Sequence, residues 1–279
     1  MWLASQRDEH QVRIARSVAR AILLLYALAV VFTECAPTTA VADPTLARIR
    51  TNGQLRVGYD PGSFPFTTIR AGQPAGYDID LGRALGQAIG VPVLFVPTGL
   101  DAAYDELQQG HFDLIASAMP YAPEQGWRAR FSTVYYNNGL IPLARTTRYD
   151  PTVADDVPVG VVLGSDGDTY LRSRARAGQP TVVRYFDTTG QLWEALQCGG
   201  VSRIISERST TDAMQRADAT LVAGPALSDA PYVIVLPYDA LYLTDIVNTT
   251  LAAMQADGRS ARIAERWLTI DPVVCPTPE

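Results

Sequence analysis

The sequence contains no lysine: all 23 basic residues are arginine, and the only histidines are His10 and His111. Without lysine there is no phosphate-loop lysine and no amine for a Schiff base. Two isolated histidines cannot build a histidine-rich zinc site or a metalloprotease helix, and no metal or other cofactor is expected. Positive charge is in deficit as well. With 29 Asp and Glu the net charge is -6 and the pI near 5.0, which argues against nucleic acid or an anionic membrane as partner. What remains is globular: 279 residues, 47% hydrophobic and 19% charged, enough for one large domain or two ordinary ones.

Arg7, Arg13, Arg16 and Arg20 precede an unbroken apolar run over residues 21–32. At 1.5 Å per helical residue that run is about 18 Å long, short of the ~30 Å bilayer core. It reads as the apolar part of an export signal, with Ala40-Val41-Ala42 as the cleavage site. Residues 1–42 are therefore expected to be a signal peptide and the product periplasmic or extracellular. Lipid anchoring through Cys35 is the alternative, disfavoured by the Thr33-Glu34 that precedes it. Cleavage leaves Cys198 and Cys275, which in an oxidising compartment either form a disulfide or stay as two thiols.

From Asp43 onward helix and strand signals alternate. Asp43-Pro44 suits the start of a helix reaching Asn52 and Gly53 its end. Strand-like runs follow at 55–59, 91–96 and 112–117, with helices from Asp78 to Gly90 and over 102–109. A second unit after residues 148–151 repeats the pattern, with strands at 157–163, 182–186 and 201–206 and helices at 169–177 and 189–197. Residues 164–167 read as a turn between them. Two amphipathic helices, 241–255 and 260–268, precede an irregular proline-rich tail. Such alternation predicts an α/β fold of mostly parallel, helix-covered sheets in two units with a cleft between them.

Several ordered pieces resemble the family 3 extracellular solute-binding proteins, best known as amino-acid receptors of ABC importers. They are Leu55-Arg56-Val57-Gly58-Tyr59-Asp60 with Pro65-Phe66, Gly76-Tyr77-Asp78-Ile79-Asp80-Leu81, residues 107–114, Phe131-Ser132 with Tyr135-Tyr136, and residues 160–164, 195–201 and 253–267. The resemblance implies a two-lobe type II periplasmic-binding-protein fold joined by crossovers near 140–145 and 233–236. Lobe 1 would comprise 43–142 plus 237–279, and lobe 2 143–236. It also implies a monomeric, non-enzymatic receptor that passes a small polar solute to an inner-membrane ABC permease.

In that family an arginine after the third strand of lobe 1 binds the ligand carboxylate and an acid of lobe 2 holds the ammonium. Here Gln125 stands where the arginine is expected, and Arg128 lies one helical turn on, either reaching the cleft or solvated at the surface. Glu207 matches the acid, and Ser165 with Asp166 the donor turn. Asp60, Ser63 and Ser117 fall in ligand-contact loops, and Phe64 and Tyr77 would supply apolar walls. Acids without a matching arginine imply a ligand other than a standard α-amino acid, such as an amine or another compact polar solute. Cyclohexadienyl dehydratases look similar, which makes a cleft enzyme using Glu207 the alternative. A ligand-sensing module for a signalling partner is a further one.

Overall fold

The computed structural model describes residues 43–145 and 157–275, so the expected signal peptide, Cys35 and the junction at 148–151 lie outside the described residues. The first helix, α1 (Pro44–Asn52), begins at Asp43, whose Oδ1 accepts the Leu46 N–H at 2.8 Å, and ends at the left-handed Gly53. The second oxygen of Asp43 accepts the N–H of Leu243 at 2.9 Å. One buried carboxylate thus satisfies orphan donors at the start of α1 and of the distant helix α7 (Leu241–Ala256).

Five strands form the first sheet, in the order β4 (Val93–Pro97), β1 (Leu55–Tyr59), β5 (Leu114–Ile115), β14 (Val235–Pro237) and β6 (Ala129–Phe131). β1 pairs in parallel with β4 and β5, whereas β14 runs antiparallel to β5 and β6. The helices packed here are α1, α2 (Tyr77–Ile89), α3 (Ala103–Gln108), α7 and α8 (Arg259–Trp267). Leu81, Leu85, Val57, Leu114, Leu243 and Val247 share the main core of this lobe.

The second sheet has the order β10 (Val183–Phe186), β9 (Val159–Val162), β11 (Arg203–Glu207), β8 (Leu140–Arg145) and β12 (Leu221–Ala223). Here β8 runs antiparallel to both β11 and β12, so in each sheet four strands share one direction and a single strand, β14 or β8, opposes them. Each sheet is therefore mixed but mostly parallel in strand direction, as expected. The one opposing strand in each sheet is the strand that enters from a segment between the sheets, against the direction of the βαβ units. This lobe is covered by α4 (Asp166–Arg176), α5 (Thr189–Gln197) and α6 (Arg208–Ala217).

Of the expected crossovers, 140–145 is the strand β8 and 233–236 runs into the strand β14, both inside the sheets. The segments between the sheets are instead the antiparallel pair β7 (Tyr136–Asn137) and β13 (Pro231–Tyr232). The helix expected to be capped by Asp78 starts two residues earlier, with Gly76 as its cap at φ 134. A Cβ at Gly76 would lie 2.1 Å from the Phe66 carbonyl oxygen, so no other residue fits the approach. The expected turn at 164–167 is the start of α4, with Ser165 as its N-cap accepting the Asp168 N–H at 3.3 Å. Helix α6 and the hairpin β2 (Thr68–Arg70)–β3 (Gln73–Ala75) were not anticipated. Cys198, at the end of α5, is joined to Cys275 with a Cα–Cα distance of 5.4 Å.

Beneath the first sheet Asp113 is buried and accepts from Arg48 Nη2 at 2.6 Å, Arg56 Nη2 at 2.8 Å and the Arg56 backbone N–H at 2.8 Å. This carboxylate ties α1, β1 and β5 together. Asp113→Ala leaves a buried N–H and two guanidinium groups without their acceptor and is expected to cost about 3 kcal/mol in urea unfolding. A loss below about 1 kcal/mol would refute the assigned role.

Candidate functional site

The strands β1 and β5 of the first lobe and β11 of the second end at a common crevice, the place where open α/β sheets present loops to ligands. A cleft of about 750 Å³ lies there. The first lobe contributes the loop Ser63, Phe64, Pro65 and Phe66 after β1, and Ala118 after β5. The second lobe contributes Glu207 with Ser209, Thr210 and Ala213 of α6, and Thr189 with Gly190 of α5.

Of the residues expected to meet a ligand, Ser63, Phe64 and Glu207 line this cleft. Phe64 is 57% exposed, a large apolar ring held open to solvent at the cleft wall. Glu207 caps β11 and begins α6. Its Oε2 accepts from the Ser206 hydroxyl at 2.9 Å, and it has no cationic partner among the described residues. Its position is fixed by the crossover. The Arg208 N–H donates to the Gly139 carbonyl at 3.0 Å, and the Ser209 N–H donates to Asn138 Oδ1 at 2.9 Å.

Asp60 and Ser117 support the site without lining it. The Asp60 N–H donates to Ser117 Oγ at 2.8 Å, while the Asp60 carboxylate accepts from the Gly62 N–H and the Ser63 hydroxyl, both at 3.3 Å. These bonds shape the turn that presents Ser63 and Phe64. Tyr77, expected as a wall, is only 4% exposed. It packs beneath the cleft with Phe66, Tyr135 and Tyr136, ring centroids 5.8, 6.1 and 5.9 Å away. Ser165 and Asp166 sit at the start of α4, outside the lining.

Gln125 is not brought to the cleft. It belongs to a short 3-10 turn, Pro123–Gln125, and its Oε1 accepts from Arg128 Nε at 2.7 Å. Arg128 in turn pairs with Asp105 at 2.6 Å and lies over the rings of Tyr104 and Trp127 at 4.8 and 5.5 Å. Position 125 therefore offers no anchor, and Arg128 does not replace one.

The cation of the cleft is Arg70, which the sequence reasoning missed. It stands at the end of β2, lines the cavity, and stacks on Trp267 at 4.8 Å with Phe64 at 6.0 Å. It makes no hydrogen bond or ion pair among the described residues, so its planar donors are free for an anion. Asn138, Ser209, Thr210, Trp267 and Asp271 were also missed. The available signal for Arg70 was the sequence Arg70-Ala71-Gly72-Gln73, a tight turn between two short strands, with φ of 49° at Ala71 and 74° at Gly72.

Acidic groups set the field here. Burial first, and then the carboxylates of Asp78, Glu207 and Asp166, hold the Tyr232 phenol above its usual range, against the lowering effect of its hydrogen bond from Asn138 Nδ2 at 3.1 Å. Asp78 itself is fully buried, and burial pushes its carboxyl up to about 7, opposed by the Ala118 N–H and the Tyr135 hydroxyl. Those two donors reach Oδ2 at 2.5 and 2.9 Å, and the first holds Ala118 at the cleft edge in the left-handed region, φ 48°. Among the described residues no group of His, Cys, Asp and Glu could hold a metal ion, and no helix is long and apolar enough to cross a membrane.

Two α/β lobes with mixed sheets, joined by paired crossovers around a polar cleft, define a type II periplasmic-binding-protein fold. The model of the bacterial extracellular solute-binding proteins, family 3, matches residues 55–270, and the chain belongs to that family. It is 25% identical over 213 residues to the ABC transporter arginine-binding protein 1 of Escherichia coli, covering 73% of this chain and 86% of that one. It is 29% identical over 213 residues to the membrane-bound lytic murein transglycosylase F of Maricaulis maris, covering 74% of this chain but 47% of that relative's length. The solved structure of an ancestral cationic amino acid solute binding protein superposes with a TM-score of 0.63 at 28% identity, over 81% of this chain and 100% of that one. Relatives thus include binding proteins and an enzyme, and a solute-binding role is the property they support.

The folded state holds the Asp78 proton more tightly than the unfolded chain, whose carboxyl titrates near 4. The stability it contributes is complete below about pH 4 and is lost as pH rises through about 7. Asp78→Asn keeps an acceptor for Ala118 and Tyr135 without the charge. The thermal midpoint of the variant is expected to gain on the wild type steadily from pH 4 to pH 8. A pH-independent difference between the two proteins would refute the shift.

Proposed function

We propose that this chain is an exported receptor that closes its lobes over a small, amino-acid-like solute and delivers it to an inner-membrane ABC importer. The observation that carries the reading is that the two lobes bring opposite charges to one cavity lining, Glu207 from the second and Arg70 from the first. Each is a poor ligand anchor alone, because water competes for an isolated exposed charge. Closure around one solute desolvates both together and strengthens both contacts.

Glu207 receives an ammonium or guanidinium group, flanked by the hydroxyls of Ser209 and Thr210. Arg70 receives a carboxylate, its guanidinium supported by the Trp267 ring 4.8 Å away and its forked donors able to pair with both oxygens. The absence of arginine at position 125 suggested a ligand without a carboxylate, and Arg70 supplies the missing group from a different element. Micromolar capture requires about 8 kcal/mol in total, within reach of two charge-assisted contacts plus apolar burial on Phe64.

Calorimetric titration with L-arginine and with agmatine, the same molecule lacking the carboxylate, tests the assignment. L-arginine is expected to bind the wild type, with Glu207→Gln weakening both compounds tenfold or more. Arg70→Gln is expected to weaken L-arginine by a similar factor and leave agmatine nearly unchanged. Binding insensitive to both substitutions would overturn the charge assignment, and product formation from a bound compound would make the protein a cleft enzyme.

A further inference from the structure

Beyond the two crossovers, a third stretch of chain runs from lobe to lobe. It starts at Trp267, the last residue of α8, which is buried among Phe66 and Tyr77 of the first lobe. The Trp267 Nε1–H donates to Asp80 Oδ2 at 2.8 Å, and Arg266 reaches the same oxygen at 2.8 Å. The following residues belong to the other lobe. The Leu268 carbonyl accepts from Arg216 of α6 at 3.3 Å, and the Asp271 carbonyl accepts from the Trp193 indole of α5 at 3.0 Å. Ile270 and Val273 pack against the second-lobe core that contains Leu192, Trp193 and Leu196. Cys275 is then bonded to Cys198.

On its way the stretch passes the cavity: Leu268, Thr269, Ile270 and Asp271 all line it. It forms an end wall between the wall of Arg70 and Phe64 and the wall of Glu207. A wall fastened to one lobe by a buried indole and to the other by a covalent bond restricts how far those lobes separate.

We infer that residues 268–275 act as a covalently fastened strap that sets the opening of the cleft, with the Cys198–Cys275 bond as its fastener. The strap acts as a positioning element. Two hinge strands leave rotation about their own axis free, and a third attachment away from that axis removes part of that freedom. Restricting the unliganded ensemble lowers the ordering cost of closure, so fastening favours capture. Only the affinity readout rests on the solute-binding function proposed above.

The test is hydrogen exchange of the full chain with and without dithiothreitol, repeated on the double variant Cys198→Ser/Cys275→Ser. Reduction is expected to speed exchange tenfold or more in residues 268–275 and also in the cleft segments 63–66 and 207–210, while amides of β1 and β9 keep their rates. The double variant should match the reduced wild type and ignore the reductant. Exchange that rises in 268–275 alone, leaving both cleft segments unchanged, would overturn the strap. So would a response to reductant that persists in the double variant. A parallel titration with L-arginine is expected to weaken severalfold on reduction. Should L-arginine bind neither form, the exchange result still decides for or against the strap, and the loss falls on the ligand assignment alone.

Discussion

The buried carboxylate of Asp78 joins three pieces of chain that sequence order keeps far apart. It sits in the first turn of α2, takes the N–H of Ala118 beyond β5, and takes the hydroxyl of Tyr135 at the entrance to the first crossover. Burying such a group is costly unless hydrogen bonds answer it. Phe66, Tyr77, Tyr136 and Tyr232 close over the region and keep water from competing. The cleft floor on the first lobe, including the left-handed backbone at Ala118, inherits its shape from that point.

The buried acid of the second lobe, Asp168, is answered locally by the Gly164 N–H and by Arg172 and joins no distant pieces of chain. The cleft groups of that lobe ride on α6, whose first turn is held by Asn137, Asn138 and Gly139 of the crossover. Tyr136 adds a bond from its hydroxyl to Asp212 Oδ2 at 3.0 Å. The crossover therefore does more than connect: it sets the orientation of Glu207. Any hinge motion carries the acid with it, while Arg70 stays with the first lobe. Charge on the cation side is invariant over the physiological range, because a protein without lysine presents only guanidinium groups there.

What could be read in the sequence was what local chemistry decides. Asp43-Pro44 and Gly53 bound α1 as expected because caps act within a few residues, and the 189–197 helix was legible from its apolar spacing. Helix α6 was not, since Arg208-Ser209-Thr210-Thr211-Asp212 carries polar and β-branched residues and buries mainly small ones; packing decides it. Asp78 looked like a cap because acids before apolar runs usually are, but Gly76 was required one turn-entry earlier by the Phe66 carbonyl. The site divides the same way. Glu207 and Ser63 were found through the family resemblance, which assigns ligand contacts to those positions beside strand ends. Arg70 was missed because its significance comes from Trp267, a contact between residues near opposite ends of the chain.

The stacking of Arg70 on Trp267 gives the molecule an optical consequence. The indole is buried against Phe66 and Tyr77 and carries the guanidinium 4.8 Å over its ring, so the proposed anion-binding group is in direct contact with a native fluorophore. On the proposed reading, the first-lobe wall of the crevice is thereby a fluorophore as well as an anchor.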